Sequence, residues 1–335
     1  MARGLLLAAL VAAGGGVATG TPAVDPALPR YQPRAVEFPK GAGYVGAGGA
    51  IAIVGYNDMR EMLEAIDKLF AAGHPGFRFS LVLNGTKTAP PALTSGASAL
   101  APMGAEFLDA DFAAYREARD SDPAVFRVAN DSLDPRALSS PIGIYVARDN
   151  PLKSLTTDQV ARIFTMGSEK GCLVNWGQLG LTGDWAGRPI HPVGPGAETA
   201  LGVFMQRRHF HGRPYVPNYV HFHESSDVAK QVGSDPQAIG FGSLFRTTTE
   251  TRIVPVSVSE GSPALAGSEG DIVSGEYPYN RFLLIYARQP LEAWIREYLR
   301  LVLSFEGQSA IAAGSLGYLP LSRSQAALET AKLDL

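Results

Sequence analysis

Apolar residues recur along the chain in two periods, and the switches between them outline a series of elements. Residues 50–54, AIAIV, form a short apolar run ending at Gly55, which predicts a buried strand. Tyr56-Asn57-Asp58 follows and can cap a helix. Met59, Met62, Leu63, Ile66, Leu69 and Phe70 then fall at helical spacing, and Gly73-His-Pro-Gly76 ends that run. In residues 77–83, Phe77, Phe79 and Leu81 alternate with other residues, so a second strand is expected. Further strands are predicted at 141–147 and at FLLIYA, 282–287. Helices are predicted at 156–164, with Thr156 or Thr157 as cap, at 199–209, and at 291–303. The order strand, helix, strand at the start predicts an α/β sheet with ligand loops at the C-terminal ends of its strands.

Composition narrows the class. The chain has 335 residues, enough for two lobes, with 18% charged residues and a net charge of −3. That balance gives no footprint for nucleic acid or for a polybasic membrane contact. The N-terminus carries Arg3 and then a Leu/Ala/Val/Gly run to Ala18, with Ala18-Thr-Gly20 as a small-residue cleavage site. Residues 1–20 read as a cleaved signal peptide, with an uncleaved anchor as the other reading. Residues 24–43 hold four prolines and read as an extended lead or linker. Cys172 is the only cysteine, so no intrachain disulfide forms and no lipid-bearing cysteine opens the mature chain. A soluble periplasmic protein that is not a lipoprotein is therefore expected. Residues 257–270 are rich in Ser, Gly and Ala and read as a surface loop.

Several segments, in order, resemble one family. Asp149 to Gly180 contains Asn150-Pro151, Leu155-Thr156, Ile163-Phe164 and Asn175-Trp176. Asp235-Pro-Gln-Ala-Ile-Gly-Phe241, Tyr277-Pro-Tyr-Asn-Arg281, Glu306-Gly-Gln308 and Leu316-Gly-Tyr-Leu-Pro-Leu321 follow. This series resembles the PstS-type periplasmic phosphate-binding proteins, the solute receptors of ABC importers. The resemblance implies a type II periplasmic binding protein, with two α/β lobes joined by crossover strands and a cleft between them. The expected division is lobe I over 44–138 and 290–335, and lobe II over 139–289. A monomer is expected, with a small anion and an ABC permease as partners, and with no catalytic role and no cofactor.

The family holds its anion with backbone amides at helix starts, hydroxyls, one Arg and one Asp. Helix starts suit anions because their N–H groups are unpaired and the dipole is favourable. Mapped by register, the expected ligand residues are Asn57, Thr86, Lys87, Thr88 and Thr199. At the same register Val193 stands where the family has its Arg, and Pro102-Met103 stand in place of a polar pair, so the ligand Asp is expected to be missing. Asp58 and Glu198 add negative charge. Arg207, Arg208 and Arg213 lie near enough in sequence to substitute for the Arg, although solvated helix-end charge accounts for them as well. These departures leave a second reading: an envelope accessory protein on the same fold that has lost phosphate recognition.

A third reading is a metal-binding receptor. His221 and His223 at i, i+2 on a strand would point the same way, with Glu224 as a further ligand. An amphipathic strand with polar histidines accounts for the pattern without metal and is preferred. Ser225-Ser226-Asp227 reads as a helix cap that could also face the ligand. Tyr56, Trp176 and Trp185 are read as core aromatics that could line a cleft. No nucleotide loop, nucleophile elbow or assembled Ser/His/Asp set is present.

Overall fold

The structure, a computed structural model, describes residues 21–334. The predicted signal peptide lies outside the described residues.

The chain opens with β1 (Ile51–Val54), α1 (Arg60–Gly73) and β2 (Phe79–Val82), with β1 and β2 parallel. Then come α2 (Ala89–Ser95), β3 (Leu100–Met103), α3 (Asp109–Arg119) and β4 (Ala124–Ser132). A first crossover leads to β5 (Ile142–Ala147), β6 (Leu155–Thr156), α4 (Thr157–Phe164), β7 (His191–Pro195) and α5 (Ala200–Arg208). They are followed by β8 (Val220–Phe222), α6 (Ser225–Ser234), β9 (Ala238–Ser243), β10 (Thr251–Ile253), β11 (Val256–Ser257) and α7 (Glu269–Val273). A second crossover returns to β12 (Phe282–Ala287), α8 (Ala293–Val302), α9 (Phe305–Ala312), β13 (Tyr318–Leu319) and α10 (Arg323–Thr330).

Among the described residues there are two larger sheets, one per lobe, and two parallel two-stranded ones, β1–β2 and β6–β11. In the first larger sheet, β13, β4, β12 and β3 are neighbours in that order. Backbone bonds from Ala99 N to Ala52 O, 3.0 Å, and from Tyr56 N to Pro102 O, 2.9 Å, set the β1–β2 pair alongside β3. In the second larger sheet the order is β10, β5, β9, β7, β8. Each of these two has its own core. Ile51, Ile53, Leu63, Phe70 and Tyr298 belong to the first, and Ile144, Phe164, Trp176 and Phe241 to the second.

The helix over 157–164 is capped as its sequence predicts. Thr156 Oγ1 accepts from Gln159 N at 3.1 Å, and Gln159 Oε1 accepts from Thr156 N at 2.8 Å. Its apolar positions Val160, Ile163 and Phe164 are buried in the second core. Trp176 is buried there too, with Trp185 edge-on at 5.9 Å, so neither opens the region as a site.

Two expectations change. FLLIYA pairs with β3 and β4, so the second lobe ends before Phe282 rather than at residue 289. The proline-rich lead is extended but does not hang free as a linker. Leu28 is buried in the first core, and Tyr31 N and Arg34 N donate to the carboxylates of Glu306, 2.7 Å, and Glu297, 2.9 Å. Pro29 O accepts from Phe305 N at 2.9 Å, which leaves the strap bonded to α8 and α9 along the outside of the first lobe. The prolines remove donors where no sheet partner exists, and the buried Glu297 is satisfied by the strap's amide.

Candidate functional site

A cleft of about 1880 Å³ runs between the lobes, where the C-terminal ends of strands from both sheets meet. From the first lobe it is lined by Tyr56, Thr86, Lys87, Met103 and Gly104; from the second by Ser140, Thr199, Ala200, Leu201, Ser225, Ser226 and Ser243. Arg281, from the second crossover, closes the floor.

The loop carrying Thr86 depends on Gly85. Its φ of 108° is a backbone state that residues with a side chain rarely adopt, and its N–H donates to Gly55 O at 2.9 Å. Thr86 and Lys87 thereby face the cleft. Thr88 does not join the lining, because its hydroxyl turns back to Gly85 O at 2.8 Å. Asn57 is exposed, lies outside the lining and bonds Asp58 Oδ1 at 3.2 Å. Asp58 is turned away from the cleft by three donors to its Oδ2: Leu138 N at 2.8 Å, Tyr318 Oη at 3.0 Å and Tyr56 Oη at 3.3 Å. The Tyr56 ring lies against Gly104, where any Cβ would meet the ring at 2.4 Å. Burial pushes the Tyr56 hydroxyl far above its ordinary pKa, so it stays a neutral donor.

From the second lobe two helix starts point into the cleft. Thr199 caps α5, accepting from Gly202 N at 3.1 Å and donating to Gly196 O at 2.8 Å. Its hydroxyl proton is thus committed, and α5 presents the amides of Ala200 and Leu201 at the lining instead. At α6, Ser225 Oγ accepts from Ser243 N at 3.0 Å, so its own proton remains to be given. Ser243 Oγ and Ser140 Oγ are 2.5 Å apart, which adds a hydroxyl pair to the arc.

A buried pair, Arg281 and Asp131, lies at the junction of the lobes, and of the two Arg281 lines the cleft while Asp131 does not. Arg281 is buried and forms an ion pair with Asp131 at 3.3 Å. Its guanidinium also donates to Ser140 O at 3.1 Å and to Gly104 O at 3.0 Å, tying both lobes to one cation. Asp131 Oδ2 accepts from Ser139 Oγ at 2.8 Å, while Oδ1 has no partner. Burial pushes the Asp131 carboxyl upward, against the pull of Arg281 and of the Ser139 hydroxyl. Val193, in contrast, is no cleft position: it is buried in β7 beneath α6. Pro102 is part of β3 and pairs opposite Ile285. Of the departures read from register, Val193 and Pro102 fall on sheet positions, while Met103, at the end of β3, does line the cleft. What could have revealed the pair is the polar interruption at each end of an apolar strand: Asn130-Asp131 in β4 and Asn280-Arg281 before β12.

Arg207 and Arg208 reach across the cleft rather than into it. Arg207 bonds Asp109 Oδ1 and Phe107 O, each at 2.5 Å, and Arg208 bonds Glu106 Oε1 at 2.7 Å. Arg213 donates to Phe210 O at 3.2 Å. His209 ends the same helix, edge-on to Tyr279 at 4.6 Å. Burial, with His211 and Arg208 adding to it, lowers its pKa to about 4, so it is neutral at neutral pH. His223 lines the cleft and bonds Glu224 Oε1 at 2.8 Å; His221 is not part of the lining. Among the described residues no group of three or more His, Cys, Asp or Glu is placed to hold a metal ion.

Two α/β lobes joined by two crossovers around a polar cleft make this a type II periplasmic binding protein. The PBP superfamily domain matches residues 46–306, and PstS, the phosphate-binding protein of Pseudomonas aeruginosa PAO1, is 30% identical over 325 residues, 94% of each chain. The same identity and coverage hold for PstS of P. aeruginosa UCBPP-PA14. The chain belongs to the PstS family of phosphate-binding proteins. Two solved structures share the fold: an ABC-type phosphate transport receptor from Vibrio cholerae and PstS from Borrelia burgdorferi. The first has a TM-score of 0.51 and 18% identity, covering 80% of this chain and 99% of its own. The second has a TM-score of 0.51 and 13% identity, covering 82% and 99%.

Proposed function

We propose that the protein captures inorganic phosphate between its lobes and delivers it to an ABC importer from the periplasm, acting as a binding protein without catalysis. One observation carries this reading. Hydroxyls, two helix starts and a buried guanidinium converge on one cleft from both lobes and from the crossover that joins them. Such a set supplies hydrogen-bond donors to a tetrahedral oxyanion without a metal. Thr86 and Lys87 approach from the first lobe. Ser225, Ser226 and the amides of Ala200 and Leu201 approach from the second, and Arg281 supplies charge at the floor. Thr199 acts by holding the start of α5 open to the ligand. Kinship with PstS proteins supports the same reading.

Calorimetry on ligand-stripped protein with phosphate, sulfate and zinc tests it. Saturable phosphate binding that is weakened by Lys87→Ala together with Ser225→Ala is the expected result. Absence of heat with phosphate would transfer the chain to the accessory reading, and heat with zinc alone to the metal reading.

A further inference from the structure

The α5 helix ends in two arginines, and both are spent on the opposite lobe. Arg207 meets Asp109 Oδ1 and Phe107 O at 2.5 Å and stands 3.6 Å from Glu106 Oε2. Arg208 donates through Nε, 2.9 Å, and Nη2, 2.7 Å, to Glu106 Oε1. Glu106 and Asp109 lie between β3 and the first turn of α3, in the first lobe; α5 belongs to the second. Glu106 is 16% exposed and Arg207 26%, so their contact is partly shielded, whereas Arg208 at 54% and Asp109 at 96% are exposed and screened by salt. The network also presents planar guanidinium groups to carboxylates, the geometry in which charge-assisted bonds are strong.

We propose that Arg207, Arg208, Glu106 and Asp109 form an interlobe clasp that holds the two lobes together before any ligand enters. A receptor of this architecture opens about its crossovers, and its resting angle is set by whatever bonds span the cleft. Here Arg281 spans the floor, joining Gly104 O to Ser140 O, and the clasp spans one flank, on the helix whose end His209 rests against Tyr279 of the second crossover. Glu106 is the positioning residue, since its one carboxylate engages both arginines. Arg207 and Arg208 stand at the C-terminal end of α5, two turns from the amides that open the helix, and their donors are directed to the opposite lobe. A resting state biased toward closure needs less rearrangement on capture, so affinity rises with the clasp in place.

The test starts without ligand, so its outcome is separate from the phosphate reading. Small-angle scattering of the ligand-free full chain is compared for wild type, Glu106→Gln, and Arg207→Gln with Arg208→Gln, at low and high salt. The clasp predicts a larger radius of gyration in both variants at low salt, a wild type that expands toward them at high salt, and little salt response in the variants. With inorganic phosphate as probe, the two neutralised variants bind about three- to tenfold more weakly. Unchanged ligand-free dimensions in both variants, at either salt, would overturn the clasp. Circular dichroism and an unchanged melting transition distinguish loosened lobes from misfolding.

Discussion

Asp67 offers a quantitative check on the first lobe's interior. It sits on α1, 9% exposed, with Oδ1 accepting the Tyr298 hydroxyl at 2.7 Å. Burial raises its pKa from 3.8 to about 7; the Tyr298 bond opposes this and nearby Glu64 adds to it. The folded protein therefore holds a proton that the unfolded chain has lost between pH 3.8 and about 7. Across that window stability falls as pH rises, and above it the loss is complete. The total is about 4 kcal/mol at its upper limit. Asp67→Asn keeps the acceptor for Tyr298 and removes the charge. The variant should match wild type near pH 3, exceed it by about 1 kcal/mol at pH 4.5, and exceed it by up to about 4 kcal/mol at pH 8. His209 acts in the opposite direction, because its pKa falls from 6.5 to about 4 and its neutral form favours stability as pH rises through that range. It is present in both proteins and cancels from their difference. Urea denaturation followed by tryptophan fluorescence gives the curves, with Trp294 reporting on the same core. A difference between the two proteins that stays flat from pH 4.5 to pH 8 would refute the reasoning.

Two further outcomes follow from named contacts. Leu28→Ala should destabilise the protein by about 2–5 kcal/mol in thermal or urea unfolding, because the strap's one deeply buried side chain leaves a cavity in the first core; a change under about 0.5 kcal/mol would return residues 24–43 to the status of a free linker. Asp131→Ala should cost about 3–5 kcal/mol by leaving Arg281 buried with only carbonyl partners, and Asp131→Ala with Arg281→Met should recover part of that loss in the same unfolding measurement.

Local physics made the elements legible. The period of Met62, Leu63, Ile66 and Phe70 and the capping pair Thr156–Gln159 each specify a helix without help from distant chain. What local pattern cannot carry is an address. FLLIYA reads as a buried strand in either lobe, and only its pairing with β3 and β4 decides which. The lead reads as a linker because prolines give no periodicity, while its anchors, Glu297 and Glu306, lie near the other end of the chain. Thr86, Lys87 and Thr199, expected from register, line the cleft, with the Thr199 hydroxyl turned to the helix start. The Asp131–Arg281 pair is not legible locally because β4 and the residues before β12 meet only when those distant strands pair. Arg207 and Arg208 looked like spare cations until the opposite lobe supplied Glu106 and Asp109.

The central claim is that an oxyanion sits between the lobes at the starts of α5 and α6. A crystal structure of the protein grown with inorganic phosphate tests it most directly. The expected result is one tetrahedral anion in the cleft, bonded by Ser225 and the Ala200 and Leu201 amides on one side, by Thr86 or Lys87 on the other, and by Arg281 beneath. A fully closed cleft with no anion in it, or phosphate held only by side chains on the outer surface, would contradict the account.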